Sequence, residues 1–237
     1  MLLAIFLRSL TVQVSFNFWR MQNLGFAFAL IPLIRRQAGD RDRAAELVAG
    51  HMQMFNTHPY MVAPVIGSVA RLEEEGRNQD AANLKQALMG PYAAIGDSFF
   101  WGALQSFSAL GAVIAVSAGV VPVLLTFGLL YLPAQIWVRA MGFWQGYSRG
   151  RNGIDFIRGL DLPGLAGKLR FGSLILMGIL AAMVVDTTSR SWVFLPALPA
   201  LATATAAFFL CFVGIRRGIS ALKMLYGTSL LCMVLSI

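Results

Sequence analysis

The sequence predicts an all-α integral membrane protein with amphipathic N-terminal helices, broken or re-entrant helices and several transmembrane helices. Of its 237 residues, 57% are hydrophobic and only 13% are charged, and the mean hydropathy is +0.68. This composition lies far from that of a soluble domain. No charged side chain occurs from Ser98 to Val138. That stretch is long enough for two membrane crossings, or for one crossing plus a re-entrant hairpin.

The basic residues lie between the apolar runs. The chain has 19 Lys and Arg against 11 Asp and Glu, a formal net charge of +8. Cytoplasmic loops of membrane proteins concentrate Lys and Arg in this way, whereas a nucleic-acid partner requires a basic stripe on a soluble surface. We therefore expect no nucleic-acid partner. The stretch Arg139–Arg170 holds six of the basic residues and is predicted to lie in the cytoplasm.

The N-terminal third alternates between apolar and charged segments. Apolar residues recur from Leu2 to Trp19 at a helical spacing, which predicts an interfacial amphipathic helix. Leu24–Ile34 is too short to cross the bilayer alone, so we expect a partly inserted or protein-covered helix. Arg35–Glu46 is predicted to form a solvated turn that opens a helix over Ala44–Phe55.

The C-terminal part is predicted to cross the membrane repeatedly. Phe171–Val185 is expected to cross outward, Asp186–Ser191 to form a brief outer turn, and Trp192–Ile215 to return. Met224–Ile237 is too short to span alone and is expected to be tilted or shielded by a partner.

Neither the first residues nor the cysteines indicate secretion or a metal site. The apolar run Met1–Leu7 has no basic region before it and no small-residue cleavage site after it, so we expect no cleaved signal peptide. Cys211 and Cys232 both lie within apolar segments and are predicted to be packing residues. We expect no metal and no cofactor.

The first predicted helix break contains Asn56, Thr57, His58 and Pro59. Pro59 lacks a backbone donor and disfavours the helical conformation at the residue before it. In an apolar chain, irregular backbone is tolerated only where protein covers it or where it lines a cavity. Broken helices of this kind often form the substrate site of a transporter.

A second break is predicted from Met89 to Ser98, where Pro91, several small residues and Asp97 interrupt the apolar pattern. A carboxylate at depth is costly unless it is paired, so Asp97 is a functional candidate. Alternatively, Asp97 and Ser98 cap the following helix at the membrane surface.

Several other polar residues have both a functional and a structural interpretation. His58 either contacts a substrate or is satisfied by the backbone near the break. Gln22 and Asn23 either offer hydrogen bonds to a sugar or seal a helix start. His51 is predicted to be structural because no companion ligand accompanies it.

Two further patterns are interpreted as surfaces. Ile66–Leu88 is predicted to be one polar helix with its charged side chains in solvent. Phe99–Trp101 and the Phe143–Trp144 pair are interpreted as aromatic belts at the membrane interface. The acidic and basic residues assigned to the solvated face are Glu73, Glu74, Glu75, Arg77, Asp80 and Lys85.

The sequence contains no motif of a self-contained enzyme. A phosphate-binding Walker A loop, an H-E-x-x-H sequence, a G-x-S-x-G elbow and a zinc-type Cys/His set are all missing. A membrane enzyme using His58 and Asp97 as an acid-base pair is a rival hypothesis, and it requires the two side chains to meet within hydrogen-bond reach. We assign no catalytic residue.

Three motifs, in order and with similar spacing, resemble the IID membrane subunit of the mannose, fructose and sorbose family of the bacterial phosphotransferase system. They are Arg20–Phe26, Phe55–Pro59, and Met89–Gly96 continuing to Trp101. Trp144–Gly150 is similar to a later family element, so the resemblance covers the chain up to about Leu180.

The resemblance implies a single IID-type membrane domain over residues 1–237, with an amphipathic and broken-helix part at 1–97 and a mainly transmembrane part at 98–237. It implies a multi-pass protein of the bacterial cytoplasmic membrane that pairs with a IIC subunit in a higher oligomer to translocate a hexose. Phosphoryl groups would be carried by separate IIA and IIB proteins. The residues that would contact sugar are Asn56, Thr57, His58 and Asp97, with Gln22 and Asn23 behind them.

Two departures from the family pattern leave an alternative open. Tyr92, Ala93 and Ala94 form a bulkier start after the Gly-Pro pair, and the region Val185–Trp192 is shorter than the family pattern implies. The alternative to a transporting subunit is a reduced, non-transporting membrane anchor of phosphotransferase carriers with a regulatory role.

Overall fold

A computed structural model describes residues 1–119, 122–191 and 197–235. Within these ranges every regular element is a helix, and two isolated β-bridges are the only extended pairings. The α-helices are α1 (Leu2–Ser9), α2 (Asn23–Gln37), α3 (Arg41–His51), α4 (Val62–Glu74), α5 (Asn78–Gly96), α6 (Gln105–Ser117), α7 (Val123–Arg149), α8 (Ile154–Gly159), α9 (Leu162–Ser191), α10 (Ala197–Arg216) and α11 (Ala221–Leu235).

Two helical stretches are long and apolar enough to cross a bilayer, Asn78–Ser117 and Val123–Asp186. Their most apolar windows have mean hydropathies of 1.6 and 1.8. This confirms the predicted all-α membrane fold. The uncharged stretch from Ser98 to Val138 includes α6 and α7 as far as Val138, which is more than half of α7, and these two helices pack on each other.

The chain forms two compact units, Met1–Leu176 and Met177–Ile237. The second unit contains α10 and α11, which pack where Gly214 approaches Met224. The predicted turn at Asp186–Ser191 is wrong, because α9 continues as a helix to Ser191. Trp192, where the returning segment was predicted to begin, lies outside the described residues. The division at residue 97 stays a prediction.

The predicted amphipathic helix Leu2–Trp19 is wrong in length, because α1 ends at Ser9. Asn17 ends the helical path, since its side-chain oxygen accepts a hydrogen bond from the backbone of Arg20 at 2.8 Å. Asn17 and Met21 then exchange two backbone hydrogen bonds of 2.9 Å. A short polar side chain that bonds to nearby backbone competes with helix in this way.

Protein covers α2, as predicted for the short apolar segment Leu24–Ile34. The helix is longer than that segment, and Phe26, Ala29 and Leu30 are fully buried. Arg35 and Arg36 lie in its last turn, where positive charge is favourable.

The predicted single helix over Ile66–Leu88 is two helices, α4 and α5. Gly76 adopts φ +72° and donates to the carbonyl of Glu73, while Arg77 donates to that of Leu72. This pair of bonds is a Schellman motif, which uses glycine because its φ is positive. The predicted solvated face is also wrong for two members, since Glu73 and Lys85 are buried.

The prediction of a second break from Met89 to Ser98 is wrong, because the chain is helical throughout this stretch. Helix α5 continues through Pro91 and passes directly into a π-helical segment, Asp97–Leu104. The belt interpretation is wrong for Phe99, Phe100 and Phe143, which are at most 6% exposed and belong to the core.

Helices α4 and α7 are in direct backbone contact. A Cβ added at Gly67 would overlap the carbonyl oxygen of Phe143, and one at Gly142 or Gly146 would overlap Pro64. Small residues let helix backbones approach directly, which is the usual way in which helices associate within membranes.

We predict that Gly67→Ala destabilises the protein although alanine is the better helix former. The added methyl group would overlap backbone of α7, and overpacking of this kind costs about 1 to 3 kcal/mol. The helix-propensity gain of about 1 kcal/mol offsets only part of this cost. Thermal unfolding of the detergent-purified protein measures the effect.

Gly167→Ala is the matched control, because Gly167 is an exposed glycine in α9 with no atom within 4 Å of an added Cβ. It is expected to leave the melting temperature unchanged or to raise it. Equal melting temperatures for the two variants would contradict the close contact between α4 and α7.

Candidate functional site

The non-helical segment between α3 and α4 is the polar feature around which the site is built. Helix α3 ends at His51 and α4 begins at Val62, so Asn56–Pro59 lies in the break that the sequence predicts. A parallel bridge joins Met21 to Phe55, and the backbone nitrogen of Gln22 donates to the Phe55 carbonyl at 2.8 Å. The segment is therefore fixed to the start of α2.

The Gln22 side chain holds the peptide groups of Thr57. Its amide nitrogen donates to the Thr57 carbonyl at 2.7 Å, and its oxygen accepts from the Thr57 backbone nitrogen at 3.0 Å. The same nitrogen donates to Gln13 at 2.9 Å. Gln22 is 2% exposed, so these bonds replace the water that the buried break lacks.

Asn23 holds the other end of the segment. Its amide nitrogen donates to the Met52 carbonyl at 2.9 Å, and its oxygen accepts from Asn17 at 2.8 Å. Arg20 also donates to the Met52 carbonyl, at 3.1 Å. The amides of Gln22 and Asn23 thus have partners within the chain, and a sugar contact by either residue stays a prediction.

His58 lies in an aromatic enclosure. Its ring stacks on Phe100 with centroids 5.2 Å apart, and the rings of Trp101 and Tyr60 lie at 4.5 and 4.9 Å. Gly96 is required here, because a Cβ at that position would overlap the His58 side chain.

One ring nitrogen of His58 is buried without a hydrogen-bond partner among the described residues. Nδ1 accepts from the Tyr60 backbone nitrogen at 3.2 Å, whereas buried Nε2 has no partner in the described part of the chain. Burial, and secondarily the charge of Arg139, lowers the pKa of His58 to about 4. The ring is therefore neutral and carries its hydrogen on Nε2.

The two residues before His58 add uncommitted polar groups. The Thr57 hydroxyl is buried and has no hydrogen-bond partner among the described residues. Asn56 is half-buried. An unsatisfied buried group costs about 1 to 3 kcal/mol, so these groups favour a ligand that brings hydroxyls.

Arg139 belongs to this site, and the sequence analysis missed it. Its guanidinium lies 4.3 Å from the Tyr60 ring centroid, and the Tyr131 hydroxyl donates to that of Tyr60 at 3.3 Å. Helix α7 continues past Arg139 to Arg149, so Arg139 lies inside a helix, and the cytoplasmic location of the stretch Arg139–Arg170 stays a prediction. The apolar run after Arg139, which includes Phe143, is the signal that could have placed it inside the helix.

Asp97 is exposed at the start of the π-helical segment, and neither a side-chain cap nor a bond to His58 is formed. The acid-base pair that the rival enzyme hypothesis requires is therefore not assembled in this structure. Next to Asp97, the Ser98 hydroxyl accepts from Arg170 at 2.8 Å.

A second group of titratable side chains, His51, Glu73 and Lys85, is buried where α3 contacts α4 and α5. His51 Nε2 lies 3.6 Å from a Glu73 oxygen, and Lys85 donates to the His51 carbonyl at 2.9 Å. Burial raises the pKa of Glu73. A cavity of about 220 Å³ adjoins these residues. His51 is thus a buried structural residue, as predicted.

The described residues contain no group of three or more His, Cys, Asp or Glu side chains that could hold a metal ion. The polar groups of the site are amide, hydroxyl, imidazole and guanidinium. Such a set can bind hydroxyl groups through hydrogen bonds. The fold and site together define a helical membrane protein with a polar site at a broken helix.

Comparison with known proteins identifies the family. The model of the PTS system mannose/fructose/sorbose family IID component matches residues 1–237. The mannose-specific EIID component of Escherichia coli (strain K12) is 39% identical over 189 residues, which cover 76% of this chain and 65% of that protein. The chain therefore belongs to the mannose/fructose/sorbose IID family, although it spans only about two thirds of that relative's length.

Two solved structures resemble the whole fold. One, titled as a membrane protein, has a TM-score of 0.69 and 29% identity. The other is a chain of the mannose transporter ManYZ in complex with microcin E492, with a TM-score of 0.57 and 28% identity. Each comparison covers 98% of this chain and 94% of the other chain.

We predict that Gln22→Leu loosens the broken segment. The substitution leaves both Thr57 peptide groups without partners, at a cost of about 1 to 3 kcal/mol for each buried group. Limited proteolysis should cut the segment Met52–Tyr60 faster in this variant. Gln79→Leu is the control, since Gln79 is exposed and bonds only to Asn83; equal cutting of both variants would argue against the role of Gln22.

A pH dependence follows from His51. Burial, followed by the charge of Lys85, lowers the pKa of His51 from its ordinary 6.5 to about 4. Between these values the unfolded chain binds a proton that the folded chain does not, so stability falls as the pH drops. At about pH 5 the loss relative to pH 7 is on the order of 2 kcal/mol.

The measurement is the melting temperature of the purified protein across this pH range. His51→Gln should show a smaller fall than the unmodified chain, while His58, present in both, contributes equally. If the melting temperatures of the two proteins fell in parallel as the pH drops, His51 would take up its proton as readily in the folded chain as in the unfolded chain, and its pKa would not be lowered by burial.

Proposed function

We propose that this chain is the IID subunit of a mannose-type permease and forms, with a IIC membrane subunit, the path by which a hexose crosses the membrane. The observation that carries the proposal is the fold likeness, over 98% of the chain, to a chain of the mannose transporter ManYZ. Membership of the IID family supports it.

In this proposal the phosphoryl chemistry belongs to other proteins. Separate IIA and IIB carriers would deliver the phosphoryl group to the sugar, and the missing phosphate-binding loop agrees with that division. The chain would be a multi-pass protein of the bacterial cytoplasmic membrane, within a higher oligomer. It would itself be a transport subunit and not an enzyme.

The sugar would bind at the broken segment. The Thr57 hydroxyl and the His58 Nε2–H group are buried and unpartnered, and sugar hydroxyls can both donate to and accept from such groups. Asn56 lies beside them. Gln22 and Asn23 would hold the segment in place through their hydrogen bonds to Thr57 and Met52. Asp97, which is exposed where α5 ends, would contact the sugar there.

Transport requires that the site face each side of the membrane in turn. In transporters with broken helices, one bundle commonly moves as a body around the bound substrate. The tight contact between α4 and α7 favours movement of these two helices as one unit, because their backbones touch at Gly67 and Gly146.

We predict that cells lacking other hexose permeases accumulate labelled sugar phosphate only when this chain accompanies its IIC, IIA and IIB partners. Thr57→Val and His58→Phe should each lower the apparent affinity for sugar at least tenfold, since each removes one hydrogen bond to the sugar of about 1.4 kcal/mol. His58→Phe also removes the bond that Nδ1 accepts from the Tyr60 backbone. Uptake of mannose, fructose and related hexoses at graded concentrations measures the effect.

Thr126→Val is the control for the hydroxyl, because half-buried Thr126 lies away from the broken segment and donates to the carbonyl of Pro122, the residue just before α7. If no hexose is accumulated although the chain inserts and binds IIC, the non-transporting regulatory anchor becomes the better function. Normal affinity in both site variants would place the sugar elsewhere.

A further inference from the structure

Arg139 carries a charge that no acidic side chain among the described residues balances. None of the ion pairs in the described part of the chain includes Arg139, and its buried Nε atom has no hydrogen-bond partner there. Its neighbours are the hydroxyl-bearing rings of Tyr60 and Tyr131. A ring face attracts a cation, but it does not supply a negative charge.

His58 does not supply the missing charge either. Its ring is neutral, because burial and the charge of Arg139 itself lower its pKa to about 4. The nearby acid Asp97 is exposed and forms no ion pair with Arg139. The whole aromatic enclosure is therefore neutral apart from one guanidinium.

The position of Arg139 along α7 makes this imbalance costly. Ten residues separate it from Arg149, the exposed last residue of the helix. At 1.5 Å per residue the separation is about 15 Å, and Arg139 lies within Val123–Asp186, the second stretch that is long and apolar enough to cross a bilayer. A charged side chain within a membrane span generally faces a protein interior or a cavity and has a partner there.

We propose that Arg139 is the docking point for an Asp or Glu carboxylate on a membrane helix of the IIC subunit. The proposal takes the IIC partner from the proposed function. A carboxylate matches the planar fork of guanidinium donors and can accept two of them at once. The half-buried Arg139 side chain leaves this approach open.

The surface beside Arg139 suits a membrane helix. Ile136 and Trp137 lie on the same part of α7 with 61% and 48% of their surface exposed. An apolar helix that covers them would place one of its own side chains near the guanidinium. Apolar contact with one central charge pair is the pattern by which helix partners in membranes are selected.

The test uses the chain co-expressed with its IIC subunit, one of the two carrying an affinity tag, and measures how much of the untagged subunit is recovered in detergent. Arg139→Gln should lower recovery at least tenfold, and Arg139→Lys should retain part of it because the charge remains. Arg149→Gln is the matched control, since Arg149 is an exposed arginine at the end of the same helix.

The partner residue is found by converting each membrane-embedded Asp and Glu of IIC to Asn or Gln. One such variant should lose recovery as Arg139→Gln does, and the double variant should regain most of it, because removing both charges leaves neither one unpaired. Purified alone, Arg139→Gln should melt no lower than the unmodified chain. A lower melting temperature would assign Arg139 a structural role instead.

The outcomes separate this inference from the transport proposal. Full recovery of IIC with Arg139→Gln, or a loss that no IIC substitution restores, overturns the docking role. If recovery is full but sugar uptake is lost, Arg139 contacts the substrate and not IIC. If the charge pair is found but no hexose is transported, the docking role stands and the transport function fails.

Discussion

The hydrogen bonds between Gln22 and the Thr57 peptide are the interaction on which the site depends. A broken helix leaves backbone donors and acceptors unpaired, and a membrane interior offers no water to bind them. Gln22 supplies one donor and one acceptor to the same residue, and Asn23 binds the Met52 carbonyl. Because these amides satisfy the backbone, the side chains of Thr57 and His58 remain uncommitted.

The second constraint is the direct backbone contact between α4 and α7. Gly67, Gly142 and Gly146 permit it, and it fixes which residues of α7 face the start of α4. Tyr131 and Arg139 consequently reach Tyr60, which lies just before α4 begins. The polar site is thus formed by two elements, the non-helical segment between α3 and α4 and the sequence-distant helix α7. The glycines at the contact between α4 and α7 allow α7 to lie close to that segment.

The break itself could be predicted from sequence because its cause is local. Pro59 and its polar neighbours act on their own backbone, and the structure has the break at that point. The family could also be recognised from sequence, because three of its motifs occur here in the same order and with similar spacing, and one of them, Phe55–Pro59, contains part of the break. The end of α4 was missed although Gly76 marks it, because one glycine within a polar run has several interpretations.

Features that depend on long-range packing could not be predicted. Glu73 and Lys85 lie in a run of charges typical of a solvated helix, yet α3 covers both. Arg139 stands at the edge of a basic stretch, and only the continuation of α7 to Arg149 places it inside a helix. The sequence around a residue shows its charge, but it does not show which distant residues will bury it.

Buried Lys85 and half-buried Arg139 differ in the partners that the described residues give them. Lys85 donates to the His51 carbonyl at 2.9 Å and lies 4.5 and 5.5 Å from the ring centroids of Phe26 and Phe55. The Lys85 ammonium group therefore has a hydrogen-bond acceptor within the chain. Arg139 has a ring contact, but its buried Nε atom has no hydrogen-bond partner among the described residues. Since a buried polar group without a partner is costly, this difference is the reason why we propose a partner from outside the chain for Arg139 and not for Lys85.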